Sequence, residues 1–424
     1  MISKSVLSVL ALAASVYAQT SCNATSLTAF TQADLDKISS CEVFSGNIIL
    51  SPPTTGVSFS INGVQEIGGS LTCTSNANLT SLSAASLETI DGTFDLTEVT
   101  QLGTLNFPRL ATVGAINWVT LPSIQSLTFT TGVTNCQDIL ISDTSLSTLD
   151  GISLTQVARL EVNNCLDLDE ISMPLQYVTD AVDISYNGAT NVTFPSLVWA
   201  NNLTFQDVSS ISTPKLSTVN ASYIIISNTM KSFVSKNLTS VGGLSVSKND
   251  ALTSLSFPNL ETIGTAGLEI SNNTKLVDIS GFPKLTSVSG AIVLAGDFDN
   301  ATFPDLDLVR GAVTIESTGD FDCSDFDDMK ENREIRGNDY VCSAASTSTS
   351  ASLTASATES GSSSEVTSDA TTTSDSSSET SSTAASATSA AASSSSSAGA
   401  AIVGTSTSGV AFGGLIAAIF FGIF

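Results

Sequence analysis

The sequence predicts an all-β solenoid in which about a dozen short coils are stacked and closed by a disulfide-bonded cap at each end. Two observations carry this. Pairs of apolar residues one apart recur every 20 to 24 residues, from Leu71 and Cys73 to Val313 and Ile315, and a step of that size is the period of a stacked repeat. The series is bracketed by Cys22 and Cys41 before it and by Cys323 and Cys342 after it, at equal separations.

Taken in order, residues 1–18 read as a secretory signal peptide. Lys4 precedes an apolar run from Val6 to Ala14, and Val16 and Ala18 stand at the small-residue positions before a cut. A short buried helix is the other reading, but nothing precedes it to pack against. Residues 19–342 are the solenoid. Its coils carry the pairs Phe94 and Leu96, Ile116 and Trp118, Ile139 and Ile141, Leu160 and Val162, Val182 and Ile184, and Leu203 and Phe205. They continue through Ile224 and Ile226, Leu244 and Val246, Leu268 and Ile270, and Ile292 and Leu294. A period of two sends both members of a pair to one face of a strand. The residue between them points outward and is commonly polar, as at Thr72, Asp95, Asn117, Glu161, Asp183, Thr204, Ser245, Glu269 and Thr314.

The stretches "FPNLETIG" and "FPKLTSVSG" fill the rest of a coil. Pro258, Pro283 and Pro304 suit a position that need not donate to a ladder, and Gly264 and Gly290 suit a tight turn. Asn187, Asn228, Asn249 and Asn272 follow successive strands, where an amide can bond turn backbone and stack on its neighbours. One coil closes no core, so the apolar edge of each must be covered by the next. In an oxidising compartment the four terminal cysteines read as two cap disulfides, each worth about 3 kcal/mol. Sequence leaves their connectivity open. Cys73 falls in an inward slot as a buried thiol, and Cys136 and Cys165 can pair only if adjacent coils bring them together.

Residues 343–397 are almost entirely Ser, Thr and Ala with scattered Asp and Glu. They lack the apolar groups that offset chain ordering and read as an O-glycosylated stalk, or else a bare flexible linker. Residues 398–424 read as a GPI-attachment propeptide. Ser397, Ala398 and Gly399 form a small-residue site, a small and polar spacer follows, and the apolar tail from Val410 to Phe424 is about 15 residues long. That is short of the roughly 20 needed to span, and no basic flank supports a tail-anchored helix. Ser397 or Gly399 is the expected acceptor.

The net charge of −26 and 14 unclustered Lys and Arg argue against a nucleic-acid partner. The carboxylates near "GDFDCSDFDDMKENREIRGNDY" fit no calcium loop and read as a solvated acidic cap. There is no His in the chain. Imidazole metal ligation, His general acid/base work and Ser-His-Asp catalysis are therefore unavailable, and no cofactor or metal is expected.

Taken together, the Phe-Pro-x-Leu coils, terminal Cys pairs, Ser/Thr stalk and GPI signal resemble the fungal GPI-anchored cell-wall organisation proteins, the extracellular-mutant and sporulation-specific group. The resemblance covers essentially the whole chain. It implies an ectodomain like the receptor L domain, a leucine-rich-repeat-like right-handed parallel β-helix. It also implies a surface glycoprotein held in the plasma membrane or on wall β-glucan, which supports cell-wall integrity and morphogenesis, and it supplies no catalytic residue.

Two other function classes are weighed against that expectation. A β-helix carbohydrate-active enzyme would need paired carboxylates roughly 5 to 9.5 Å apart, and of the outward acids only Glu161 and Asp183 fall on consecutive coils. A glycan- or protein-binding ectodomain would use exposed aromatics on the sheet face. Trp118 occupies an inward slot, which leaves Trp199 and Tyr186 as the stacking candidates. Sequons at Asn23, Asn78, Asn191, Asn202, Asn220, Asn237, Asn272 and Asn300 are expected to be partly occupied, with Asn272 crowded by its strand.

Overall fold

The computed structural model describes residues 22–51 and 57–345. The proposed signal peptide, nearly all of the stalk, and the GPI signal with Ser397 and Gly399 lie outside them.

The described chain is a parallel β-solenoid of about 13 turns. Nineteen strands form one sheet, and every pairing in it is parallel. Smaller sheets, such as Glu170–Ser172 with Thr190–Thr193 and Val208–Ser212, line another side of the coils. Register is kept from coil to coil: Leu160 faces Val182 and Val162 faces Ile184, and these in turn face Leu203 and Phe205. The inward pairs are buried. Each outward residue therefore stacks on the outward residue of the next coil, about 4.8 Å away.

Two inward positions differ from the expectation. In the strand Thr218–Ile226 the buried pair is Tyr223 and Ile225, while Ile224 and Ile226 face outward and are half-buried. Four apolar residues in a row fit alternation in either phase, so the phase is set elsewhere. A bulge between Val219 and Ser222 shifts the register. The tyrosine ring then lies 6.1 Å from both Phe205 and Phe233. It completes a file of rings from Phe194 to Phe326 with neighbouring centroids 5.3 to 6.5 Å apart, within the range of favourable aromatic pairs. The solenoid also starts earlier than the apolar pairs indicate. Ile48 and Leu50 already form a buried pair in Asn47–Leu50, which lies between Ser26–Ala29 and Leu71–Thr74.

The corners explain the rest of the repeat. In Phe-Pro-x-Leu the Leu amide donates to the Phe carbonyl at 3.1 to 3.3 Å, at Phe107, Phe194, Phe257, Phe282 and Phe303. The proline thus takes the second position of a β-turn, where its fixed φ is preset, a few residues ahead of the next strand. Phe and Leu on either side of it are both buried. Gly264 and Gly290 do not have a left-handed backbone. They are needed because coils approach closely: a Cβ on Gly264 would lie 2.7 Å from the carbonyl of Gly242, and one on Gly290 would lie 2.5 Å from the amide of Gly267.

Past each main strand, one non-glycine residue per coil from Ser75 to Asn272 has a φ of 49 to 57°. Such a conformation costs about 1–2 kcal/mol. It turns the chain sharply while the ladder continues, because Lys248 and Asn272 still donate to Ser271 and Ala295 of the next coil. Immediately beyond runs a buried asparagine ladder. The backbone and side-chain amides of Asn228 donate to Asn249 Oδ1 at 2.9 and 3.1 Å, and those of Asn249 donate to Asn273 Oδ1 at 3.0 Å. The ladder residue is Asn273, not the expected Asn272, which is the exposed left-handed residue before it.

The ends are tied by Cys22–Cys41 and Cys323–Cys342, with Cα separations of 5.6 and 6.1 Å. Short helices, Gln32–Asp36 and Ser324–Glu331, accompany them. Cys73, Cys136 and Cys165 are buried free thiols. Cys136 precedes the strand Asp138–Thr144 and Cys165 follows Gln156–Asn163, so adjacent coils place them at opposite strand ends.

Removing one rung strands several buried polar groups at once. Asn249→Ala is expected to cost about 2–4 kcal/mol, because unsatisfied buried donors and acceptors cost about 1–3 kcal/mol each. Urea unfolding of the ectodomain measures this, and a change within about 0.5 kcal/mol, the usual size for a surface substitution, would show the ladder to be incidental.

Candidate functional site

The outward row of the main sheet collects the carboxylates that alternation places there. Each is held by a hydroxyl or amide two residues on, on the same face of its own strand. Thr97 Oγ1 donates to Asp95 at 2.8 Å, Asn163 Nδ2 to Glu161 at 3.0 Å, and Ser271 Oγ to Glu269 at 2.9 Å. Neighbouring coils add Asn117 Nδ2 to Asp95 at 3.0 Å and Ser245 Oγ to Glu269 at 2.9 Å. An acid followed two residues later by Ser, Thr or Asn is readable in the sequence once the strand phase is known.

Glu161 and Asp183 are brought together. They face one another in register on the adjacent strands Gln156–Asn163 and Tyr177–Ser185. Burial pushes both carboxyls above their ordinary range. The charge of Asp183 adds to the rise at Glu161, while Arg159 and the Asn163 bond oppose it; Ser185 opposes it at Asp183. Asp183 Oδ1 is buried and has no hydrogen-bond partner among the described residues. Arg159 lies on the same strand as Glu161, and its guanidinium pairs with Asp180 at 2.5 Å.

The two aromatic candidates do not join this pair. Tyr186 follows its strand in the left-handed conformation and is 57% exposed. Trp199 opens the strand Trp199–Gln206 opposite Tyr177, at the far end from Thr204, the residue that faces Asp183. Chemically, the face offers hydrogen-bonded carboxylates and hydroxyls at regular spacing. Among the described residues no group of three or more Cys, Asp and Glu is placed to hold a metal ion.

Apart from Asn202, whose sequon threonine Thr204 belongs to the row, the sequons sit away from it. Asn191 and Asn300 lie on smaller sheets, Asn220 on a bulge, Asn237 in a corner and Asn23 beside the first cap, all exposed, while Asn78 is half-buried. Crowding falls on Asn202 rather than Asn272. The Asn202 amide donates to the Asp180 carbonyl at 3.1 Å and accepts from Ser222, whereas Asn272 is exposed.

The chain matches no protein-family model and no solved structure. Among curated proteins it is 36% identical over 321 residues to protein ecm33 of Aspergillus fumigatus, covering 75% of this chain and 80% of that one. It is 36% identical over 329 residues to the cell wall mannoprotein PST1 of Saccharomyces cerevisiae, covering 76% and 73%. It is likewise 36% identical over 352 residues to the cell surface GPI-anchored protein ECM33 of Candida albicans, covering 81% and 84%.

A raised carboxyl pKa means that the native state holds its proton more tightly than the unfolded chain does. The site then favours folding in acid, and that contribution is lost as pH rises from the ordinary Asp value of 3.8 through the raised native one. Asp183→Asn is therefore expected to raise the unfolding temperature at neutral pH and to leave it nearly unchanged well below 3.8. Calorimetry across that range checks the sign; a variant less stable than the parent at neutral pH would contradict it.

Proposed function

Because this chain belongs to the fungal family of Ecm33-type and sporulation-specific cell-surface proteins, we propose that it is a non-enzymatic GPI-anchored surface glycoprotein supporting cell-wall organisation, integrity and morphogenesis. The observation that carries this is the 36% identity running through the solenoid to relatives named as a cell wall mannoprotein and a cell-surface GPI-anchored protein. In this reading residues 1–18 direct secretion, 19–342 are the working ectodomain, 343–397 are a glycosylated stalk, and 398–424 are exchanged for the lipid at Ser397 or Gly399. The protein then resides on the outer leaflet of the plasma membrane or in the wall, with the membrane and β-glucan as its partners through the anchor.

The physical argument for a scaffold is rigidity. About 13 turns at about 4.8 Å each give a rod about 60 Å long. No coil can loosen without exposing the apolar faces of its neighbours. The enzyme alternative rests on Glu161 and Asp183, which face one another on adjacent strands with burial disfavouring their charge. A glycan-binding reading is favoured by one specific observation, the exposure of Tyr186.

Four outcomes test this. GPI-specific phospholipase, or glucanase treatment of walls, should release the protein, and release by neither would exclude the anchor. Leu268→Ser with Ile270→Ser, both buried, should cost about 2–5 kcal/mol per site and reproduce the wall sensitivity of a deletion strain. Rescue of that strain by leader, stalk and anchor without residues 21–342 would refute a role for the ectodomain. Glucan, chitin or pectin cleavage that disappears in a Glu161→Ala, Asp183→Ala variant would establish the enzyme instead.

A further inference from the structure

Two hollows open side by side along the strand-end edge of the solenoid, with volumes of about 520 and 510 Å³. Asn272 and Thr274 line both. The first hollow extends over Lys248 and Asp250 of the preceding coil, and the second over Asp297 and Glu316 of the two coils that follow. The two hollows meet at Asn272 as one open trough, and Asn272, Asn273 and Thr274 together are a sequon.

The backbone prepares this asparagine in a way that it prepares none of the other sequon residues. Asn272 is the only one of the eight sequon asparagines with a positive φ, at 55°. It is exposed, and its side-chain amide makes no hydrogen bond among the described residues. By contrast, the amides of Asn191, Asn202, Asn220, Asn237 and Asn300 all donate to neighbouring coils. The next residue, Asn273, is fixed by the buried ladder. The backbone that aims Asn272 into the trough is thereby held rigid.

We propose that Asn272 carries an N-glycan whose first sugars lie in this trough. The inference rests on the secretory route proposed above. In the transfer, Asn272 Nδ2 bonds to C1 of the reducing-end N-acetylglucosamine of a lipid-diphosphate-linked oligosaccharide. The bond from C1 to the diphosphate breaks, the lipid diphosphate leaves, and Nδ2 gives up one proton. The occupant is argued from the lining. Each hollow falls within the roughly 300–1,000 Å³ of small-ligand sites, and the carboxylates and ammonium at its rim suit the hydroxyls and acetamido groups of sugars through charge-assisted hydrogen bonds. The seated glycan covers the outer edge of the asparagine ladder.

The test uses full-length protein from fungal cells, treated under native conditions with an endo-β-N-acetylglucosaminidase and read by glycopeptide mass spectrometry at Asn237, Asn272 and Asn300. We expect Asn272 to be occupied and its glycan released at least about tenfold more slowly than the other two, which corresponds to about 1.4 kcal/mol of seating. The difference should vanish on denaturation. Asp250→Ala with Glu316→Ala keeps the sequon and should speed release at Asn272 alone. A bare Asn272 beside occupied Asn237 and Asn300 overturns the proposal and leaves the secretory reading intact. Equal release at all three overturns the seating, and the absence of N-glycan at every sequon overturns both readings.

Discussion

Everything in this structure depends on the fact that hydrogen bonds between coils run along the solenoid axis while the apolar pairs point across it. The strand amides of a coil find their partners in the coils above and below, and those same coils cover its inward Leu, Ile or Phe. The two requirements are met by the same neighbour, so register and burial are a single condition. Parallel sheets buried on one face impose it strictly, because a one-residue slip would turn every inward side chain outward. The strand Thr218–Ile226 is instructive: the chain absorbs the misfit in a bulge and keeps the aromatic file continuous.

Most of the coil was legible because its signals are chemical and periodic. Alternating apolar pairs, Phe-Pro-x-Leu and the terminal cysteines each repeat a residue type at a fixed step. What escaped was phase. "YIII" is apolar at every position, so alternation alone cannot choose between Tyr223 and Ile224, and the bulge that decides lies upstream. The double asparagine at Asn272 and Asn273 poses the same problem for the ladder, since either fits the composition while only one follows the left-handed residue. The glycines were legible as necessary but not for their reason. Close approach of coils is a contact between residues some 22 positions apart, as from Gly242 to Gly264, and no local pattern reveals it. The first coil was missed because Ile48 and Leu50 stand beside Ile49, which blurs the alternation.

The candidate site illustrates a related limit. Sequence identified Glu161 and Asp183 as neighbours, and the register makes them so. It placed Tyr186 just past a strand, as it is, but not Trp199 at the opening of its strand, because a residue's distance along a coil depends on where the corners fall. The outward carboxylates are each bonded to neutral donors. Burial raises the Glu161 and Asp183 carboxyls, and one Asp183 oxygen has no hydrogen-bond partner among the described residues. That is an electrostatic cost to the fold carried on an otherwise regular face.

The two disulfides have a mechanical meaning when the rod is considered under load. The last described strand, Tyr340–Ala344, pairs with Val313–Ser317, so tension drawn through the chain beyond it bears first on that ladder. An untied strand there would peel one hydrogen bond at a time. Cys342 is bonded to Cys323, 19 residues upstream, so the pull passes through the sulfurs to the start of the helix Ser324–Glu331. The terminal strand and that helix must therefore yield together. The matching tie at Cys22–Cys41 places the same restraint on the opposite end, and a force along the axis meets a clamp at whichever end it is applied.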